Sequence, residues 1–266
     1  MRQFLFVALL LIALTSGLCF GQQKRKTTTA NNTVKTTLTN TDPGLTVGDT
    51  GKVTFIYQKK KVTYTTVRAK DGNIWLQQSL GSKRVAIDLH DEDSFGDLFQ
   101  WGRWDDGHQL YYPANTRRDE DKDWHPIDLD KTGVNPFYWG VVSRWWRDEK
   151  STDQWTAATP AEVTADNGCD PCKAMGEGWH LPSAAELQNI INLEYITDAN
   201  GGWNSSLRLS LSGSRDGTNG TTIRFRGRSA NFWTSTPDAA LELVSGKVRE
   251  FERGYGFAIR CLKSKK

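Results

Sequence analysis

Long apolar runs are scarce in this chain of 266 residues: the longest, Phe4 to Leu14, is eleven residues and too short to cross a bilayer. Charge of one sign is equally scarce. Lys and Arg number 34 against 31 Asp and Glu, a formal +3, and the basic residues form no stripe. Zinc-finger, helix-turn-helix and RNA-binding motifs are missing, so nucleic acid is excluded as a partner. Common catalytic signatures are missing too: no Gly-x-Ser-x-Gly, no His-Glu-x-x-His, no Gly-rich phosphate loop. The four histidines, His90, His108, His125 and His180, are scattered, and His180 beside a helix start reads as structural. The chain therefore reads as non-enzymatic, with no catalytic residue. The alternative is a secreted hydrolase with an unrecognised active site in the aromatic loops, since a carboxylate pair, defined only by spatial separation, leaves no mark in sequence.

What is present begins with a leader. Met1-Arg2-Gln3 is a short basic start, followed by the apolar run, and Cys19 and Gly21 place small residues at −3 and −1 of a cut after Gly21. Residues 1–21 thus read as a secretory signal peptide, which makes the protein exported: extracellular, at the cell surface or periplasmic. Without Arg2 the formal charge falls to +2. Acylation of Cys19 competes with this reading and would give the only membrane contact, although Leu18 is large for the position before a lipidated cysteine. Residues 22–50, rich in Thr, Asn and Gly, show no apolar period and read as a disordered tether.

From residue 51 the chain reads as one domain to residue 266. Val53, Phe55 and Tyr57 alternate, then Lys59-Lys60-Lys61, then Val62, Tyr64 and Thr66: a strand, a basic turn and a second strand. Asp71-Gly72-Asn73 predicts a further turn before Ile74, Trp75 and Leu76. Residues 90 to 135 are loop-rich and charged, with a short helix expected to face the core through Phe95, Leu98 and Phe99. Pro182-Ser183-Ala184-Ala185-Glu186 carries a capping box, and Leu187, Ile190 and Ile191 form the buried stripe of the helix it starts. Short apolar segments at 207–211, 222–225, 232–235, 240–243, 248–251 and 257–262 predict an antiparallel sheet.

Two features invite a ligand. Asp119, Asp121, Asp123 and Asp130 imitate an EF-hand loop, but Trp124 stands where the turn wants Gly and the last position is Asp rather than Glu. Ca²⁺ is the only cofactor these residues suggest; a solvated acidic loop is the bland reading. The eleven tryptophans are the compositional surplus. Core burial accounts for most such residues, while Trp101, Trp104, Trp139 and Trp145, in loop-rich stretches, are candidates to stack on a sugar or an envelope partner. Of the cysteines left after the leader, Cys169 and Cys172 have Cys-x-x-Cys spacing, which admits a redox pair, though no thioredoxin-like pattern surrounds it, and too few soft ligands cluster for zinc.

Four motifs in order carry a family likeness. Gly72-Asn73-Ile74-Trp75-Leu76 with Gly96-Asp97-Leu98-Phe99-Gln100-Trp101-Gly102-Arg103, then Asp170-Pro171-Cys172 with Gly178-Trp179-His180-Leu181-Pro182-Ser183, then Phe232-Trp233-Thr234-Ser235 and Gly256-Phe257-Ala258-Ile259-Arg260-Cys261 resemble the Fibrobacter succinogenes major paralogous domain. The resemblance runs from about Lys52 to Leu262. It implies an exported, disulfide-bonded domain of α+β class and little chemistry; the chain as a whole reads as a binding or structural module. The implied fold is C-type-lectin-like: antiparallel β-sheets, one or two short helices and long aromatic-rich loops. It also implies that Cys172 pairs with Cys261, although the additional Cys169 departs from the pattern. Carbohydrate or an envelope protein is the expected partner.

Overall fold

The computed structural model describes residues 40–110, 116–118, 137–139, 153–164, 166–220 and 222–265. The leader with Cys19, the tether as far as residue 39, the acidic run Asp119, Asp121, Asp123 and Asp130, and Trp145 lie outside the described residues.

The first hairpin forms as its alternation dictates. Strand Thr50–Tyr57 pairs antiparallel with Lys60–Arg68, from Thr50 opposite Val67 to Tyr57 opposite Lys60, and Val53, Phe55, Tyr57 and Tyr64 point inward. The tip differs from the expected lysine turn: it is Gln58 and Lys59, both at positive φ, the primed-turn geometry that matches strand twist. Gly72, at φ +78°, serves the next turn, as its sequence suggests. The five-stranded sheet then runs in the order Thr50–Tyr57, Lys60–Arg68, Ile74–Leu76, Leu262–Lys263, Trp179–His180, so the last strand of the chain is inserted beside the third.

A four-stranded sheet joins Ile223–Arg224, Ser214–Arg215, Gly256–Phe257 and Phe99–Gln100, and a three-stranded one joins Asn231–Trp233, Ala239–Glu242 and Lys247–Glu250. Two parallel pairs, Thr116–Arg118 with Phe137–Trp139 and Gln154–Ala157 with Asn167–Cys169, complete a mostly antiparallel α+β fold. Helix α1, Ala184–Glu194, starts on the expected capping box: the Glu186 N–H donates to Ser183 Oγ and the Ser183 N–H to the Glu186 carboxylate. Helix α2, Ala199–Asn204, is capped by Asp198.

Two expectations are corrected. The short helix expected between Ser94 and Trp104 is a single 3₁₀ turn, Glu92–Ser94, followed by strand Phe99–Gln100, because Phe95, Leu98 and Phe99 are buried by an extended path rather than on one helical face. The tether ends earlier than residue 50. Thr41 exchanges backbone hydrogen bonds with Lys52, Asn40 caps the Thr54 N–H, Asp42 pairs with Lys263 at 2.9 Å, and Arg68 donates to the Pro43 and Gly44 carbonyls. Low hydrophobicity concealed this strap because polar and backbone contacts hold it.

Two larger apolar bodies make up most of the core among the described residues. One packs the hairpin face against Trp101, Trp155, Trp233 and Phe257 around a Cys172–Cys261 disulfide; the other packs α1 against Trp75, Phe232 and Leu241. Arg260 also lies inside, its guanidinium donating to the Leu76 and Leu207 carbonyls and to Ser79, and burial lowers its pKa to about 9.

Candidate ligand-binding cleft

The three-stranded and four-stranded sheets meet along an edge. Gly213 bridges Ala230 in parallel register, which sets Ser214 and Asn231 side by side, and Phe232 bridges Ala258. Outside this seam opens a cleft of about 670 Å³, within the ~300–1,000 Å³ usual for small-molecule sites.

Its apolar surface is aromatic. Tyr255 and Phe257 lie stacked with centroids 6.0 Å apart, and Phe251 meets Phe257 edge-on at 5.0 Å. Phe225 stands at the lip, 60% exposed and at φ +57°. A bulky residue in that left-handed region is a strained conformation. The Arg228 and Ser229 N–H groups, both bonded to the Phe225 carbonyl, hold it.

Two polar groups of the lining are uncommitted. Ser214 is 92% buried by complement of its 8% exposure, lines the cleft, and has no side-chain hydrogen bond among the described residues. The Asn231 side chain has none either, and its Oδ1 is fully enclosed. A buried polar atom without a partner is costly in a folded protein, so such atoms are rare unless something else satisfies them. Asp216 is committed: burial pushes its carboxyl up, but hydrogen bonds from Thr218 and an ion pair with Arg224 outweigh burial and hold it below the carboxylate range. Glu242 pairs with Arg249 at 2.9 Å.

The described residues singled out from sequence lie elsewhere. Trp101 and Trp104 are corrected as stacking residues. Trp101 is fully buried, donates to the Thr234 carbonyl and packs on Trp155 at 5.4 Å, and Trp104 packs on Ala157 and Cys169; neither offers a ring face to solvent. Trp139 is partly buried and lies against Gly220. Cys172 and Cys261 form the disulfide; Cys169 is a buried thiol pushed up to about 12, chiefly by burial. His180 bridges the Gly178 carbonyl and Glu186, a structural position.

His108 sits beside Asp106 as catalytic pairs do, yet the Gln100 N–H donates to its Nε2, which fixes the proton on Nδ1 facing Asp106. That ring has no free nitrogen to act as a base, and burial lowers its pKa to about 4.

A second polar cluster ties the hairpin tip to the 97–109 loop. The Tyr57 hydroxyl donates to Asp97 at 2.7 Å, Gln109 donates to Asp105 at 2.8 Å, and both carboxyls are raised to about 6, mainly by burial. A carboxyl raised on folding binds its proton more tightly in the folded state, so its contribution to stability is full below about pH 4 and is lost as pH rises through about 6. Asp97→Asn keeps an acceptor for Tyr57 and removes the charge. Its stability relative to the parent is expected to rise by about 2–3 kcal/mol between pH 4 and 7.5. Urea unfolding across that range checks this; a flat difference would show that Asp97 is solvated. No family model, curated protein or solved structure matches this chain.

Proposed function

We propose that the protein is an exported, non-catalytic binding module that takes a glycan in the cleft between the two sheets. The observation that carries this reading is the pairing of unpartnered neutral hydrogen-bonding groups, Ser214 and Asn231, with the aromatic surface of Phe225, Phe251 and Tyr255. Sugars present alternating hydroxyls and apolar C–H faces, and those two kinds of group are what they require. We place the chain with the Fibrobacter succinogenes major paralogous domain, give it a C-type-lectin-like fold, and assign it to the cell surface or periplasm, on the motifs and leader already quoted. A hydrolase in the same cleft would need one carboxyl kept protonated, and Asp216, the one fully buried carboxyl among the four of the lining, is held ionised instead.

The test is a glycan array of the purified chain with and without a Ca²⁺ chelator, repeated with Asn231→Leu. Binding is expected to survive chelation and to weaken about tenfold in the variant, the loss of a hydrogen bond from the Asn231 amide N–H to ligand. The same variant is expected to hold or raise its melting temperature, because it removes an unsatisfied buried polar atom. Unchanged glycan binding in Asn231→Leu would sink the cleft. Loss on chelation would move the site to Asp119, Asp121, Asp123 and Asp130.

A further inference from the structure

We infer that the glycan taken by this cleft carries positive charge: an amine-bearing polysaccharide rather than a neutral or acidic one. The inference rests on the glycan reading above and adds the ligand's charge to it. Elsewhere the chain lays its own arginines over several of its aromatic rings. Arg215 lies 4.1 Å from the Phe137 centroid, Arg208 4.7 Å from Trp203, Arg253 4.8 Å from Trp101 and Arg226 5.2 Å from Phe95. In the cleft this stops. Among the described residues no guanidinium or ammonium covers Phe225, Phe251 or Tyr255, although Arg224 and Arg228 line the same cleft. Arg224 turns to Asp216 instead. The exposed Phe225 ring, with the partly buried Phe251 and Tyr255 in the same cleft, is left for a cation from outside, and a ring face attracts a cation through its quadrupole.

The charge balance points the same way. Asp216 is neutralised by Arg224, and Glu242 by Arg249. Glu250 and Glu252, on either side of Phe251, are exposed and have no ion-pair partner among the described residues; Arg228 is the one cation of the lining left uncommitted. Two free carboxylates against one free guanidinium leave the cleft at a net −1. An ammonium on a sugar ring would meet carboxylate and ring face together, while Ser214 and Asn231 serve the neighbouring hydroxyls. A uronic acid polymer would meet a cleft of its own sign.

Isothermal titration of the full chain with glucosamine oligomers, their N-acetylated counterparts and uronate oligomers of equal length tests this. The amine form is expected to bind about tenfold tighter than the N-acetylated form, a gap that narrows with salt. The exposed double variant Glu250→Gln, Glu252→Gln should close the gap by weakening the amine form. Equal affinities, a reversed order, or a preference untouched by the double variant would overturn the charge assignment. If the N-acetylated oligomer binds and loses affinity in Asn231→Leu while the amine gains nothing, the cleft stands and the charge assignment falls. If no glycan binds here or on the array, both fall together.

Discussion

Asp106→Ala is expected to destabilise the protein by about 3–5 kcal/mol, the range for removing one partner of a buried ion pair. Arg103 and Asp106 are both essentially without solvent contact, and the guanidinium donates twice to Asp106 Oδ2, at 2.8 and 3.0 Å. The other carboxylate oxygen accepts from the His108 backbone N–H and faces His108 Nδ1. One truncation therefore leaves a desolvated cation without its carboxylate, and it frees the ring that receives the Gln100 N–H. Gln100 in turn donates to the Tyr138 and Gly254 carbonyls, so the defect reaches the four-stranded sheet. Burial works to lower the Arg103 pKa, with Asp106 opposing it, so the pair stands or falls together. Replacing both residues by apolar ones of similar size is expected to be milder than Asp106→Ala alone. Urea unfolding of the single and double variants measures this; a loss below about 1 kcal/mol for Asp106→Ala would mean that water enters the site.

Local chemistry was legible in the sequence and convergence was not. The Ser183–Glu186 capping box, the Gly72 turn and the alternation of Val53, Phe55 and Tyr57 are complete within a few residues, and each folds as read. The Gln58–Lys59 tip escaped because its positive φ angles fall on residues that do not advertise them; twist on both sides imposes the turn. Loop position does not reveal exposure at Trp101, whose N–H is spent on Thr234, more than a hundred residues away. The segment at 207–211 reads as a strand because Leu207, Leu209 and Leu211 alternate. All three are buried, yet the segment joins no ladder: Arg260 takes the Leu207 carbonyl. The cleft had no signature at all. Ser214, Asn231 and Tyr255 come from three segments, and what sets them apart, the lack of a partner, exists only once the sheets meet.

Breaking the covalent tie is expected to have the other large effect. The chain-entropy model gives about 4–5 kcal/mol for a crosslink spanning this many residues, here a separation of 89 between Cys172 and Cys261. For a domain of this size that corresponds to a fall of roughly 10–20 °C in melting temperature for Cys172→Ala, Cys261→Ala. Both sulfurs are fully buried, and the chain around each is held independently. Asp170 accepts the Cys172 and Leu181 N–H groups, and the Leu76 N–H donates to the Cys261 carbonyl. The double variant should therefore keep its fold, and calorimetry can read the loss directly. A fall of under about 3 °C would mean that the unfolded chain is already compact enough to make the crosslink redundant. Cys169 is the internal control. Thiol exchange needs the thiolate, and burial holds the Cys169 thiol protonated, pushed up to about 12. Cys169→Ala should thus leave the disulfide intact and lower the melting temperature by far less, which separates the effect of the bond from that of a lost buried sulfur.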